Sequence, residues 1–200
     1  MKKLFLVLAA SLCIISARSQ DNQPSIRMVA EPASSSELIN ILKFQEIDYY
    51  RVKFIGTDLV GKHFTLTCKT LTDGVVTSLD TIINTKVFTW VGAIDNDTLS
   101  LDLLGSKVNG NLKMFFRFPR LGLNKKYPAT DSDSYSLRAL GSKYSIKLNE
   151  PFPAFAYILP YETDGYQMYC AVEQSGTNVE EWGRKFNIKH YLIFEMLFEE

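Results

Sequence analysis

Residues 177–199, TNVEEWGRKFNIKHYLIFEMLFE, decide the fold of this chain of 200 residues. Thr177 and Glu180 have the spacing of a capping box, in which a hydroxyl and a carboxylate satisfy free amides at the start of a helix. Asn187 is suited to end that helix, because asparagine tolerates the left-handed backbone conformation. The segment therefore predicts a short helix between Thr177 and Asn187. Its apolar face would consist of Val179, Trp182 and Phe186.

The stretch 190–198 predicts a strand with apolar residues on both faces. One parity holds Leu192, Phe194, Met196 and Phe198. The other parity holds Tyr191, Ile193 and Leu197, together with the charged Glu195. A strand that is apolar on both faces is usually covered on both sides. We therefore expect a central strand, with the helix that carries Trp182 packed against it.

The chain before this segment alternates apolar and polar residues, with turn signals at close spacing. Asp73-Gly74 and Asn109-Gly110 are strong hairpin signals, because both turn residues tolerate positive φ. The predicted strands are 47–54, 63–69, 75–83, 86–91, 97–104, 112–118, 135–140, 143–148, 152–159 and 166–173. About ten short strands favour a mainly β fold, either an antiparallel β-sandwich or a partly closed barrel. A short N-terminal helix is expected after Ser34 and Glu37, which again have capping-box spacing.

The first 19 residues predict a cleavable signal peptide. Two lysines precede an apolar run from Leu4 to Ile15, and Ala17-Arg18-Ser19 offers small residues where a signal peptidase cuts. The run is shorter than the roughly 20 residues that a helix needs to cross a bilayer. We expect an exported mature chain that starts at Gln20 and has no transmembrane segment. The alternative is lipidation at Cys13, although the leucine before it is larger than that motif requires.

The mature chain is predicted to consist of a flexible tether, residues 20–36, and a single β-rich domain, residues 37–200. The tether has two prolines, three consecutive serines and few large apolar residues. Cleavage of the leader removes three of the 22 basic residues and none of the 22 acidic ones, so the mature net charge is about −3. This charge argues against nucleic acid as a partner.

The small residue followed directly by glutamine at the cleavage site resembles signal peptides of secreted Bacteroidetes proteins. Asp80-Thr81-Ile82 and Asp97-Thr98-Leu99 resemble the Asp-Thr-apolar sites that these bacteria modify with O-linked glycans. On these features the chain resembles uncharacterised secreted β-rich proteins of Bacteroidetes-type bacteria. The resemblance implies export and O-glycosylation of Thr81 and Thr98; the alternative is an ordinary strand pattern.

Two cysteines, Cys68 and Cys170, remain after the leader is removed. On the predicted strands each shares the parity of apolar neighbours, so both thiols are expected to point inward. In an oxidising compartment they can form a disulfide between two parts of the sheet. The alternative is two separate buried thiols that act as small hydrophobic residues.

The sequence carries no recognisable catalytic, metal or cofactor motif. His63 and His190 are its two histidines, and neither belongs to a pattern that would hold zinc. His63 is expected in solvent, and His190 is expected as a hydrogen-bonded residue at the edge of the core. Glycine-rich loops that bind phosphates or dinucleotides are absent as well. We therefore predict no metal and no cofactor.

Tyrosines are concentrated in the predicted hairpin 152–173 and are the candidate binding residues. They are Tyr157, Tyr161, Tyr166 and Tyr169. Aromatic side chains beside polar loops can bind sugars or peptides, although tyrosines also pair across strands for structural reasons. The irregular segment Arg120–Ser134 is a second candidate region, because loops of that length are often functional.

These features predict a non-catalytic secreted or periplasmic domain with a binding or structural role in the bacterial cell envelope. Its partner would be a glycan, a peptide or another envelope protein. The alternative is an extracellular hydrolase that acts on glycans or peptides through loop carboxylates such as Asp131, Asp133 or Glu162. A concave pocket with two carboxylates of shifted pKa would favour the hydrolase, and a flat aromatic patch would favour the binding domain.

Overall fold

The computed structural model describes residues 25–169, 176 and 178–200. The predicted signal peptide, Cys13, Cys170 and Thr177 lie outside the described residues. Over the described ranges the protein is mainly β, with antiparallel sheets, a short helix near the start and a helix before the last strand. The predicted fold class is therefore confirmed.

The elements follow one another as a series of strands with a helix at each end. They are β1 (Arg27–Glu31), α1 (Ser36–Phe44), β2 (Asp48–Ile55), β3 (His63–Thr72), β4 (Val75–Asn84), β5 (Thr98–Val108), β6 (Asn111–Phe118), β7 (Leu121–Pro128), β8 (Ser136–Ala139), β9 (Phe152–Ile158), β10 (Tyr161–Thr163), β11 (Tyr166–Met168), α2 (Trp182–Phe186) and β12 (His190–Glu199). Short 3-10 turns occupy Thr57–Leu59, Gly141–Lys143 and Val179–Glu181.

Ten of the strands form two five-stranded sheets. Sheet A has the order β1-β2-β5-β6-β7, sheet B has the order β4-β3-β12-β9-β8, and β10 and β11 form a separate hairpin. The sheets pack face to face through aromatic side chains. Phe54 of sheet A lies 5.3 Å from Phe198 of sheet B, and Phe116 lies 5.4 Å from Phe194, as ring-centroid distances. The architecture is thus an antiparallel sandwich.

The terminal strand β12 is the central strand of sheet B, as its two apolar faces predict. It pairs antiparallel with β3 on one side and with β9 on the other. Its inner face meets sheet A, and its outer face is covered by α2, where the Trp182 and Tyr191 rings lie 6.2 Å apart. The Tyr191 hydroxyl donates to the carbonyl of Glu180 and accepts from the Gly183 amide. These contacts fix the helix on the sheet.

The ends of α1 and α2 differ slightly from the sequence prediction. Ser35, one residue after the predicted position, caps α1 by accepting from the Leu38 amide. The side chain of Asn178 caps the turn before α2 by accepting from the Glu180 amide at 3.1 Å. Asn187 ends α2 with φ of 54°, as predicted.

The two predicted hairpin turns are confirmed, and one of them explains a pair of glycines. Asp73 and Gly74 have φ of 50° and 75°. The turn packs directly on α2, because a Cβ placed on Gly183 would lie 2.5 Å from the Gly74 Cα. Since real Cβ atoms do not approach backbone so closely, both positions require glycine.

Three predicted segments are wrong. Residues 86–91 form turns, because the Asn84 side chain accepts from the Lys86 amide and bends the chain away from the sheet. Residues 143–148 contribute an isolated bridge at Ile146 instead of a strand. The predicted tether includes β1, which pairs with β2 and buries Met28.

The segment Arg120–Ser134, predicted to be irregular, contains strand β7. This strand pairs with β6 along its whole length and forms an edge of sheet A. Its glycine, lysines and proline led to the prediction of an irregular segment, although lysine and proline are common on edge strands. The irregular part is therefore shorter than predicted and covers residues 129–135.

Candidate functional site

The four candidate tyrosines do not share one surface. Tyr157 is buried, Tyr161 is buried with its ring 5.6 Å from that of Phe186, and Tyr166 is 71% exposed. The Tyr169 hydroxyl donates to the Ser134 carbonyl at 2.6 Å. The predicted hairpin 152–173 is wrong, because β9 pairs with β8 and β12 and the hairpin consists of β10 and β11. The expected flat aromatic patch is therefore absent from the described residues 152–169.

A concave site lies instead where the end of α1, the start of β2 and the loop 129–135 meet. Its cavity volume is about 320 Å³. The polar lining consists of Lys43, Glu46, Asp48, Lys107, Asp133, Tyr135 and Tyr157. We call it the Asp48 cleft. It combines one predicted binding residue, Tyr157, with one predicted loop acid, Asp133.

Asp48, at the start of β2, lines this cleft. Its Oδ2 accepts from the Leu137 amide at 3.0 Å, which ties β2 of sheet A to β8 of sheet B. The Tyr157 side chain lines the cleft with Asp48 and interacts electrostatically with its carboxylate. Burial raises the pKa of Asp48, and this effect exceeds the lowering by the Leu137 amide, Arg138 and Tyr157. Burial and the nearby Asp48 charge also raise the pKa of Tyr157. A carboxyl group with a raised pKa in a cleft is a marker of functional sites.

Asp48 was missed by the sequence analysis, although a signal was present. It has the same parity as Tyr50, Val52 and Phe54 on the predicted strand, and that parity faces the core. A charged residue on the core parity of a strand needs partners or a function. The hydrogen bond comes from the Leu137 amide, and the nearby charge from Arg138; both are far away in sequence.

The wall of the cleft continues into the core through Tyr135 and His190. The Tyr135 hydroxyl oxygen and His190 Nδ1 share a hydrogen bond at 2.8 Å, and the Thr130 amide donates to the same hydroxyl at 3.1 Å. His190 is only 5% exposed, so its interpretation as a hydrogen-bonded residue at the edge of the core is confirmed. Burial lowers the pKa of His190. The imidazole is therefore neutral at neutral pH.

The lowered pKa of His190 predicts a pH-dependent stability. The native protein binds fewer protons at this residue than the unfolded chain, so the free energy of unfolding should decrease as the pH falls below about 6.5. We expect His190→Gln to remove this part of the dependence of the unfolding free energy on pH. Urea unfolding of both proteins between about pH 7 and pH 5.5 measures it. If the unfolding free energies of the two proteins fall equally with decreasing pH, the lowered pKa of His190 is contradicted.

The loop acids of the predicted hydrolase do not converge. The Lys107 ammonium donates to the carbonyls of Asp131 and Ser132 and to Asp133 Oδ1, at 2.7, 3.0 and 2.8 Å, and so fixes the loop. The Asp133 side chain is 87% exposed at the rim of the cleft. Asp131 contributes only its carbonyl to these contacts, and Glu162 lies apart on β10.

The remaining candidate residues lie outside the Asp48 cleft. Cys68 is fully buried, and burial raises the pKa of its thiol to about 12. Its predicted disulfide partner Cys170 lies outside the described residues, so the disulfide stays a prediction. Thr81 is exposed and Thr98 is half-buried; their glycosylation also stays a prediction. Within the described ranges, no group of three or more potential metal ligands occurs.

The chain matches no protein-family model, no curated protein and no solved structure. None of the helices in the described part of the chain is long and apolar enough to cross a membrane. The basis for a functional proposal is therefore the chemistry of the Asp48 cleft.

Proposed function

We propose that this protein is an exported, non-catalytic binding domain of the bacterial cell envelope, and that its ligand binds in the Asp48 cleft. The leader sequence supports export. The observation that carries the binding site is the half-buried carboxyl of Asp48, which lines a concave site with Tyr135 and Tyr157. Polar groups of this kind, few in number and fixed by the fold, give orientation and specificity in ligand sites.

The lining of the cleft favours a peptide chain as the ligand. Carboxylates of Glu46, Asp48 and Asp133 accept hydrogen bonds, while the ammonium group of Lys43 donates them. A peptide offers amides and carbonyls together and can bond to both kinds of group. The volume of about 320 Å³ lies at the lower end of the range for ligand pockets and fits a few side chains. An exposed segment of another envelope protein is the simplest source of such a peptide.

Asp48→Asn tests this proposal, with the exposed Asp58→Asn as its matched control. The mature protein, starting at Gln20, is applied to an array of peptides with varied charge. Hydrogen bonds that involve a charged group contribute about 1.5–3 kcal/mol, so we expect Asp48→Asn to weaken the peptides bound by at least tenfold. Asp58→Asn should bind as the unmodified protein does. Equal binding by Asp48→Asn, or binding of no peptide at all, would overturn the proposal.

The hydrolase alternative is favoured by one observation, the raised pKa of Asp48 beside Asp133 in a concave cleft. A protonated Asp48 could act as a general acid, with Asp133 as the second carboxylate. The alternative predicts hydrolysis of a glycan or peptide substrate that is lost in both Asp48→Asn and Asp133→Ala. A broad hydrolase screen without turnover removes it and leaves the binding proposal in place.

A further inference from the structure

A second cleft lies on the outer face of sheet B and shares no lining residue with the Asp48 cleft. It is bounded by α2 with the turn before it on one side and by the turn Gly141–Lys143 with Tyr144 on the other. Its floor consists of Pro153 of β9 and Glu195 of β12, and its volume is about 470 Å³. We call it the Trp182 cleft.

The pairing of the strands is irregular at the floor of the cleft. The register between β12 and β9 shifts between Phe194 and Glu195, and Glu195 lies opposite Pro153. Proline has no amide hydrogen to donate, so within sheets it is found at edges and bulges. Bulges occur often beside binding and active sites, where they redirect a side chain. The extra residue, Ala154, belongs to β9, so Glu195 lies on the outer face of β12 by ordinary alternation with Tyr191 and Ile193, and the irregularity brings Pro153 opposite it.

The charged groups of the Trp182 cleft balance one another. The Lys69 ammonium donates to one oxygen of Glu180 at 2.6 Å and to one oxygen of Glu195 at 2.9 Å. Glu180, Glu195 and Lys143 line the cleft, whereas Lys69 is not part of the lining. Among the described residues, the two carboxylates are therefore balanced by the ammonium groups of Lys143 and of their ion-pair partner Lys69. The lining carboxylates and the Lys143 ammonium present hydrogen-bond acceptors and donors to a ligand.

The walls of the cleft are aromatic and apolar, and one of them carries an unpartnered donor. Trp182 is 2% exposed, and its indole Nε1–H has no acceptor among the described residues. Buried donors without partners are rare in native proteins because they are costly, and each one requires an explanation. Tyr144 lies at the rim and is 38% exposed, so one ring is accessible for stacking. Val179 and Leu140 extend the apolar surface.

We propose that the Trp182 cleft binds a neutral oligosaccharide. A sugar ring has hydroxyls at its edge and apolar C–H groups on its faces. The hydroxyls match the lining carboxylates and the Lys143 ammonium, and one C–H face matches the accessible ring of Tyr144. An anionic or cationic ligand finds no excess of opposite charge in this site. The proposal is independent of the peptide assigned to the Asp48 cleft.

Intrinsic fluorescence tests the proposal directly, because the chain has two tryptophans. Trp90 is 63% exposed, so Trp90→Phe leaves the buried Trp182 as the sole tryptophan, which is excited selectively over the tyrosines, without disturbing the core. The full mature chain with this substitution is titrated with cellohexaose, chitohexaose and mannohexaose as neutral probes. Hexagalacturonate serves as the anionic probe. We expect a saturable change in Trp182 fluorescence with at least one neutral probe and none with hexagalacturonate.

Two further variants identify where the sugar binds. In the Trp90→Phe background, Tyr144→Ala should weaken binding at least tenfold, whereas Tyr166→Ala, which removes a tyrosine that is 71% exposed elsewhere, should not change it. A thermal melt confirms that both variants are folded. The absence of a saturable change with all three neutral probes would overturn the proposal. Binding that is stronger for hexagalacturonate, or that survives Tyr144→Ala, would overturn it as well.

Discussion

A chain that ends at Asn187 should not fold. The truncation removes β12, which is the central strand of sheet B, and leaves β3 and β9 without their common partner. It also removes seven buried apolar side chains, namely Ile188, Tyr191, Leu192, Ile193, Phe194, Met196 and Phe198. Each contributes about 1.5–3 kcal/mol through burial, and together they rival the roughly 5–15 kcal/mol by which whole domains are stable.

Circular dichroism during thermal and urea unfolding measures this effect. The truncated chain should show no cooperative transition, whereas a chain that lacks only Glu200 should unfold as the full chain does. Glu200 makes a surface ion pair with Lys62, and its side chain is 76% exposed, so its loss has little effect. A soluble truncated fragment that melts cooperatively would refute the role assigned to β12.

Phe194→Ala should destabilise the protein by about 3–5 kcal/mol, the usual range for removing a buried phenylalanine. Phe194 is fully buried at the centre of β12. Its ring meets Phe116 at 5.4 Å and Tyr127 at 6.2 Å, both in edge-to-face contact from sheet A. The substitution therefore leaves a cavity between the two sheets that neighbouring rings cannot close.

Phe44→Ala is the matched control, since it removes the same side chain from α1, where it is 84% exposed. We expect a change within about 0.5 kcal/mol there. Urea unfolding compares the two variants, provided that the m-value stays constant. If Phe194→Ala lowers the free energy of unfolding by less than about 1 kcal/mol, Phe194 is not buried between the two sheets.

Much of the fold could be predicted from local patterns. The doubly apolar stretch 190–198 indicates a central strand because only a covered strand can bury both faces. Asp73-Gly74 and Asn109-Gly110 indicate hairpins because their backbone conformations are restricted to few residues. The edge strand β7 escaped prediction because an edge strand needs neither a continuous apolar face nor an amide hydrogen at each position.

The two clefts could not be predicted because each is assembled from distant segments. The Asp48 cleft unites the end of α1, the start of β2 and the loop 129–135. The Trp182 cleft unites the turn Gly141–Lys143 with α2, the turn before it and strand β12. In each case the sequence held a single clue, a carboxylate at a position where the pattern calls for an apolar residue. Asp48 and Glu195 are those residues, and only the topology supplies their partners.

Hydrogen exchange of the mature protein, with and without the tightest peptide from the array, tests the central claim most directly. The account predicts slower exchange at backbone amides of residues 43–48 and 129–135, which border the Asp48 cleft. It predicts no change in the hairpin of β10 and β11, and no protection in Asp48→Asn at the same peptide concentration. Protection confined to that hairpin or to β4, or equal protection in Asp48→Asn, would contradict it.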